Sequence, residues 1–134
     1  MSSPPSRAIA NCRLLLILYW LAMAVGSHWP RLELNAISLP FGLDKWLHFT
    51  AYTGLVWLLS MTGWLRVIPA GRLRGWCLPA SFIALVYSWI DESTQYFIPG
   101  RYIDPGDVLA SDLGVLLGTL LAIWTWRHLS QRAA

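Results

Sequence analysis

Charged residues are scarce in this sequence: it holds ten Lys and Arg and seven Asp and Glu among 134 residues, or 13%. A soluble domain of this size normally has about a quarter of its residues charged. Hydrophobic residues instead make up 56% of the chain, and nine residues are tryptophan. The scarcity of charge argues against an ordinary soluble domain and predicts a single domain whose solvent is the lipid bilayer.

The basic residues lack the arrangement of a nucleic-acid-binding surface. The formal net charge is +3, but the basic residues are scattered at the edges of apolar runs. No stripe combines basic and aromatic residues along a phosphate-tracking face. Basic residues that flank apolar runs are instead typical of membrane proteins. We therefore predict the bilayer as a partner and no nucleic acid.

Cysteine is also scarce, because Cys12 and Cys77 are the only two and they belong to no CxxC or Cys/His spacing. This argues against a disulfide framework and against a zinc site of familiar spacing. We assign no chemistry to either cysteine, and we predict no cofactor and no metal ligands.

Four apolar segments predict four transmembrane helices. Helices of about 20 residues match a hydrocarbon core of about 30 Å, and lipid requires that backbone groups be hydrogen-bonded within each span. We therefore expect an all-α membrane protein, an antiparallel bundle of four transmembrane helices. The predicted spans cover about residues 14–30, 46–65, 76–98 and 106–126, in a domain at 14–127 between tails at 1–13 and 128–134.

The distribution of Lys and Arg predicts a multi-pass protein of the cell membrane with both termini in the cytoplasm. Seven of these residues lie in the two tails and the middle loop, against three on the other side. The alternative for the first segment is a cleaved signal peptide, because positive residues precede a short apolar stretch that contains Ala22-Met-Ala24. Trp20 and Trp29 favour a retained helix, since tryptophan is enriched at membrane interfaces.

The acidic residues all fall in or beside the two outer loops, mostly within three polar clusters at helix ends. Short connections make antiparallel helices neighbours, so we expect the clusters to converge on one outward-facing cleft. Asp91 and Glu92 lie within a predicted span, where a carboxylate needs a partner, and we expect Lys45 or Arg101 to supply it. The predicted ligand-binding or functional residues are Asp44, Lys45, His48, Tyr52, Asp91, Glu92, Gln95, Arg101, Asp104, Asp107 and Ser111; no catalytic residue is assigned.

Some of these residues also have a structural interpretation. Asp104, followed by Pro-Gly-Asp, predicts an N-cap for the fourth helix, and Asp44 is a similar candidate for the second. Asp91 and Glu92 cannot cap the carboxyl end of a helix and oppose its dipole, which favours a functional or ion-paired network. Gly114 and Gly118 share a helix face and predict close helix packing.

The clusters and their spacing resemble the VanZ-like family of small bacterial membrane proteins. The matching segments are DKWLHFTAY at 44–52, DESTQYFIPGR at 91–101, and DPGD at 104–107 with the two glycines that follow. Four residues after the second Asp of the DPGD segment, Asp107, the family usually has Asn. This chain has Ser111 at that position, followed by Asp112. The resemblance implies a polytopic envelope protein. The family is named for a member linked to teicoplanin resistance, and the resemblance implies no established reaction.

These observations support three functional hypotheses. The first is a protein that binds or shields an envelope lipid, a glycan or an amphiphilic glycopeptide antibiotic in the polar cleft. The second is a membrane-embedded hydrolase or transferase for a lipid-linked substrate, with His48 and Asp91 or Glu92 as acid and base. The third is a purely structural or assembly protein. Whether the chain is an enzyme, and whether it forms a homo-oligomer, stays open at this point.

Overall fold

The computed structural model describes residues 6–29, 42–62, 74–99 and 101–132. Most of the predicted loops at 30–45 and 66–75 lies outside the described residues. The described residues contain four helices and no strand, which confirms the all-helical fold. The helices are α1 (Ser6–Ser27), α2 (Leu43–Met61), α3 (Arg74–Gln95) and α4 (Pro105–Arg132).

The four helices alternate in direction. Ser27 at the end of α1 contacts Asp91 near the end of α3, and Lys45 at the start of α2 contacts Asp107 at the start of α4. The amide of Asp104, which precedes α4, contacts a side chain of α3. The carboxyl ends of α1 and α3 and the amino ends of α2 and α4 therefore gather at one end of the bundle. We call it the polar end; it comprises residues 27–29, 42–48, 91–95 and 101–111.

Two helices that run parallel, α2 and α4, make the most extensive contact in the bundle. A Cβ atom on Gly114 would clash with the carbonyl oxygen of Phe49, and one on Gly118 would lie 2.6 Å from that of Thr53. The Thr53 hydroxyl donates a hydrogen bond to the Gly114 carbonyl at 3.1 Å. Both glycines thus lie where the backbones of α2 and α4 approach closely, and any side chain there would force the backbones apart.

The helix starts agree with prediction in one case and differ in the other. Asp104 Oδ1 accepts a hydrogen bond from the Gly106 amide at 2.7 Å, which confirms the predicted N-cap of α4. The N-cap of α2 is Gly42, whose φ of 86° lies in the left-handed region that favours glycine. The prediction that Asp44 caps α2 is wrong, because Asp44 lies in the first turn of the helix. Its negative charge there interacts favourably with the helix dipole.

The outer surface of the bundle is strongly apolar. A small core packs around Tyr52 and Leu55, whereas large apolar side chains such as Phe82, 68% exposed, cover the outside of all four helices. Among the described residues, α1 and α4 are long and apolar enough to cross a membrane, at Ala10–Ser27 and Pro105–His128. Two of the four predicted spans are thus supported by length and composition.

Candidate functional site

Lys45 joins the start of α2 to the start of α4. Its Nζ donates hydrogen bonds to Asp104 Oδ2 at 2.6 Å and to Asp107 Oδ1 at 3.0 Å, and it lies 3.6 Å from Asp44 Oδ2. Burial alone would lower the pKa of Lys45, but the hydrogen bonds and charges of these three carboxylates raise the pKa above its ordinary value. Lys45, which precedes the second predicted span, is therefore held as a cation among acidic groups.

Asp91 is only 3% exposed, and its partners are hydroxyl groups from two other helices. Ser27 Oγ on α1 donates to Asp91 Oδ1 at 2.7 Å, and the Tyr52 hydroxyl on α2 donates to Oδ2 at 3.4 Å. The Nδ1 atom of His28 lies 3.6 Å from Oδ1. Each carboxylate oxygen of Asp91 thus has a neutral hydroxyl donor within the bundle.

Glu92 is also only 3% exposed, but just one of its oxygens has a partner. Its Oε1 accepts a hydrogen bond from the Asp104 amide at 2.7 Å. Its Oε2 is buried and has no hydrogen-bond partner. A buried oxygen in that state is costly, because it has lost its water without gaining a donor.

Arg101 binds the ends of α1 and α3. Its Nη1 donates to Gln95 Oε1 at 2.8 Å, and its Nε and Nη2 donate to the Trp29 carbonyl at 3.3 and 3.2 Å. An arginine in this position satisfies a backbone carbonyl that the helix end leaves without an amide partner. The side chain therefore acts as a link between two helix ends.

The predicted ion pair between Lys45 or Arg101 and a buried carboxylate of α3 is wrong. Both basic residues bind other groups, and hydroxyl and backbone N–H donors reach Asp91 and Glu92 instead. These donors already lie inside the bundle, so the carboxylates gain partners without the burial of a second charged group, which would carry its own desolvation penalty.

His48 extends from α2 towards α4. Its Nδ1 lies 3.3 Å from Ser111 Oγ, and its Nε2 lies 3.9 Å from Asp107 Oδ2. The ring also stacks on Tyr52, with 6.4 Å between ring centroids. Asp112 points elsewhere, since Ser88 on α3 donates to its Oδ1 at 3.2 Å. Ser111 is thus the residue of this pair that faces the predicted site.

A group of three side chains from three helices has the composition of a metal site. His48, Glu92 and Asp107 each offer one ligand atom, and these atoms lie within 4.8 Å of one another. A second group, formed by Asp44, Asp104 and Asp107, meets the same distance criterion. The two groups share Asp107 but differ in their surroundings, because Lys45 occupies the second.

Three residues at the end of α1 belong to the polar end, although no sequence pattern pointed to them. Ser27 binds Asp91, His28 Nε2 lies 2.9 Å from Thr94 Oγ1, and the Trp29 carbonyl accepts from Arg101. A serine and a histidine after an apolar run match no motif. The one available signal was that two polar residues follow the apolar run, at the helix end predicted to lie on the same side as the three clusters.

A cavity of about 480 Å³ lies between α1 and α2 and reaches the polar end. Ala22, Met23 and Leu47 form part of its apolar wall. Five of the predicted residues line it, and the other six lie outside its lining. Those on the wall are Asp44, His48, Tyr52, Asp91 and Arg101; the others are Lys45, Glu92, Gln95, Asp104, Asp107 and Ser111.

Comparison with known proteins gives one result at the level of the family. No curated protein and no solved structure matches the chain significantly. The model of the VanZ/LLP1 family matches residues 4–127, which include all of α1, α2 and α3 and most of α4. This match covers far more than half of the chain and confirms the resemblance carried by the three polar clusters. Together with the two apolar helices, it indicates a membrane protein, and the chain belongs to the VanZ/LLP1 family.

Proposed function

We propose that this protein crosses the membrane of the cell envelope four times, with both termini in the cytoplasm. The positive-inside rule supports this orientation, because seven of the ten basic residues then lie on the cytoplasmic side. The apolar outer surface of all four helices also fits a lipid environment. In this orientation the polar end faces away from the cytoplasm.

We further infer that the cavity binds an amphiphilic molecule of the envelope. The single observation that carries this proposal is the composition of the cavity, which combines an apolar wall with polar residues at one end. Its volume of about 480 Å³ falls in the range of about 300–1,000 Å³ that is usual for small-molecule sites. A space of this size fits a headgroup with the first part of a hydrocarbon chain better than a whole lipid.

The polar residues indicate the class of headgroup. Asp44 and Asp91 offer carboxylate oxygens that accept hydrogen bonds from hydroxyl or amino groups, and Arg101 offers N–H donors. Sugars of a lipid-linked glycan, or of a lipidated glycopeptide antibiotic, carry hydroxyl groups that meet both requirements. The proposed role is therefore binding, or shielding, of such a molecule on the non-cytoplasmic side.

Gly26 provides a direct test, because it lines the cavity and a Cβ atom there would meet nothing within 4 Å. Gly26→Trp should fill the cavity without a clash at the backbone. The probes are a polyprenyl-linked disaccharide, a lipidated glycopeptide and an ordinary phospholipid, each titrated against the purified chain in lipid nanodiscs. We expect one of the first two to bind in preference to the phospholipid and Gly26→Trp to abolish that binding.

Val25→Trp is the matched control, because Val25 is the neighbouring residue on α1, is exposed, and does not line the cavity. Arg101→Ala should weaken binding by about tenfold or more, as expected when a hydrogen bond to a charged group is lost. Arg127→Ala, at the other end of the bundle, should not weaken it. If Gly26→Trp and Val25→Trp both bind as tightly as the unmodified chain, the cavity is excluded as the binding site. A structural role for the polar end would then be favoured.

A further inference from the structure

We propose that His48, Glu92 and Asp107 bind a divalent transition-metal ion such as Zn²⁺ or Mn²⁺. The three side chains come from α2, α3 and α4, and their ligand atoms lie within 4.8 Å of one another. Ligands about 2.0–2.2 Å from a zinc ion lie roughly 3.4 Å apart in a tetrahedron. The observed 3.9 Å between His48 Nε2 and Asp107 Oδ2 is close to this value.

In each of the three side chains one polar atom has a hydrogen-bond partner and a second polar atom is left for the group. His48 Nδ1 lies 3.3 Å from Ser111 Oγ, which leaves Nε2 for the group. Asp107 Oδ1 accepts from Lys45 at 3.0 Å, which leaves Oδ2. In metal sites, such outer partners fix the tautomer and the orientation of the ligands.

Glu92 supplies the observation that separates this group from an ordinary polar cluster. Its Oε1 is held by the Asp104 amide, whereas its Oε2 is buried without any hydrogen-bond partner. The residue as a whole is 3% exposed, so bulk water does not solvate the free oxygen. A cation bound between Glu92, His48 and Asp107 would give this oxygen a partner and neutralise charge.

The second acidic group does not need an external cation. Asp44, Asp104 and Asp107 already surround the ammonium group of Lys45, with the shortest Nζ to oxygen distance at 2.6 Å. The proposed metal is therefore assigned to the group that contains His48. No sequence motif predicted this group, because its members lie on three separate helices.

The donor atoms indicate the class of metal. One imidazole and two carboxylates suit Zn²⁺ or Mn²⁺, whereas Ca²⁺ and Mg²⁺ prefer oxygen ligands alone and Cu⁺ prefers sulfur. Three protein ligands are typical of sites that keep one coordination position open. His48 also lines the cavity, so the metal would lie beside the cavity wall. The proposal does not depend on amphiphile binding.

The test uses the full chain without a polyhistidine tag, purified in detergent, stripped with a chelator and titrated with Zn²⁺ or Mn²⁺ alone. We expect one ion per chain by elemental analysis and an increase in thermal stability on metal addition. Glu92→Gln should lower the affinity at least about tenfold, because even outer-shell substitutions typically lower it about 10–100-fold. Ser111→Ala should lower the affinity to a similar extent through His48. Asp44→Asn, in the group around Lys45, is the control and should leave the affinity unchanged.

Circular dichroism and gel filtration establish that each variant is folded. If Glu92→Gln fails to fold, Ser111→Ala decides the outcome, because it keeps all three ligands. Co²⁺ provides a second readout, since its visible absorption reports imidazole and carboxylate ligation. The proposal is overturned if the unmodified chain takes up neither metal, or if Asp44→Asn lowers uptake as much as Glu92→Gln and Ser111→Ala do.

Discussion

At the scale of single residues, the polar end contains two different kinds of carboxylate. Asp44, Asp104 and Asp107 share the Lys45 ammonium group, and the first two of these remain substantially exposed. Asp91 and Glu92 are buried and receive hydrogen bonds from hydroxyl and backbone N–H groups. Hydrogen bonds to a charged group contribute about 1.5–3 kcal/mol, roughly twice the value for neutral pairs. The stability of the polar end should therefore depend strongly on uncharged donors.

Ser27→Ala tests this dependence. The substitution removes the 2.7 Å hydrogen bond to Asp91 Oδ1, and we expect it to lower the free energy of unfolding by about 1.5–3 kcal/mol. Ser93→Ala is the control, because Ser93 is exposed and donates only to the Trp89 carbonyl of its own helix; its effect should stay within about 0.5 kcal/mol. Thermal unfolding in nanodiscs measures both. Equal effects of the two substitutions would mean that Ser27 contributes nothing specific to the buried carboxylate.

The contrast between predicted and observed partners has a physical reason. The sequence shows which residues carry charge and how far inside a helix they lie, and from this the convergence of the three clusters followed. It does not show which neutral donors a fold brings near a carboxylate. Ser27 was therefore missed, and Lys45 and Arg101 were paired with the wrong acids. That the converged residues form a ligand-binding site stays a prediction.

At the scale of helices, the parallel pair α2 and α4 is held by backbone proximity. Gly114→Ala would place a methyl group against the Phe49 carbonyl oxygen. Backbone atoms move less easily than side chains, so we expect a loss of about 1–3 kcal/mol, as for other overpacked sites. Gly26→Ala, where a Cβ atom meets nothing within 4 Å, should change stability by no more than about 1 kcal/mol and in the favourable direction. If Gly114→Ala is as stable as Gly26→Ala in thermal unfolding, the helices do not need this glycine.

The start of α4 depends on a residue with two functions. Asp104 caps the helix through Oδ1 and pairs with Lys45 through Oδ2. Asp104→Asn keeps the cap and loses the charge, which should cost at most about 1 kcal/mol because the pair is partly exposed to solvent. Asp104→Ala loses the cap as well, a further loss of about 0.5–2 kcal/mol. Urea or thermal unfolding of the two variants separates the contributions; equal stability would show that the cap contributes nothing.

The elements themselves were largely predictable, because apolar runs, Asp-Pro starts and glycine pairs act locally. The start of α2 was less predictable from the sequence. Asp44 is a residue type preferred at N-caps, but the N-cap of α2 is Gly42, which has a positive φ. The glycines on α4 predicted a close approach to another helix, but the identity of that helix, α2, followed only from the fold. Local rules thus predict where a helix lies better than they predict its neighbours.

At the scale of the whole molecule, the proposed orientation places Tyr102 on the non-cytoplasmic side of the membrane and Gln131 on the cytoplasmic side. Tyr102 is 79% exposed and Gln131 is also exposed, so single cysteines at these positions are accessible to reagents. In a chain without its two native cysteines, we expect a membrane-impermeant maleimide to label Tyr102→Cys in intact cells. Gln131→Cys should be labelled only after permeabilisation. The reverse pattern would invert the topology, and labelling of both in intact cells would contradict a membrane crossing by α4.

The hydrogen bonds of Asp91 also bear on how the protein is made. Synthesis runs from the amino terminus, so both of its donors, Ser27 and Tyr52, leave the ribosome before the carboxylate itself. The donor to Glu92 is the Asp104 amide, which follows after only 12 residues. The donors to Asp91 are therefore synthesised before it, and the donor to Glu92 is synthesised shortly after it. If α3 crosses the membrane as proposed, the order of the chain keeps short the interval in which the nascent helix exposes two unpartnered carboxylates to the bilayer.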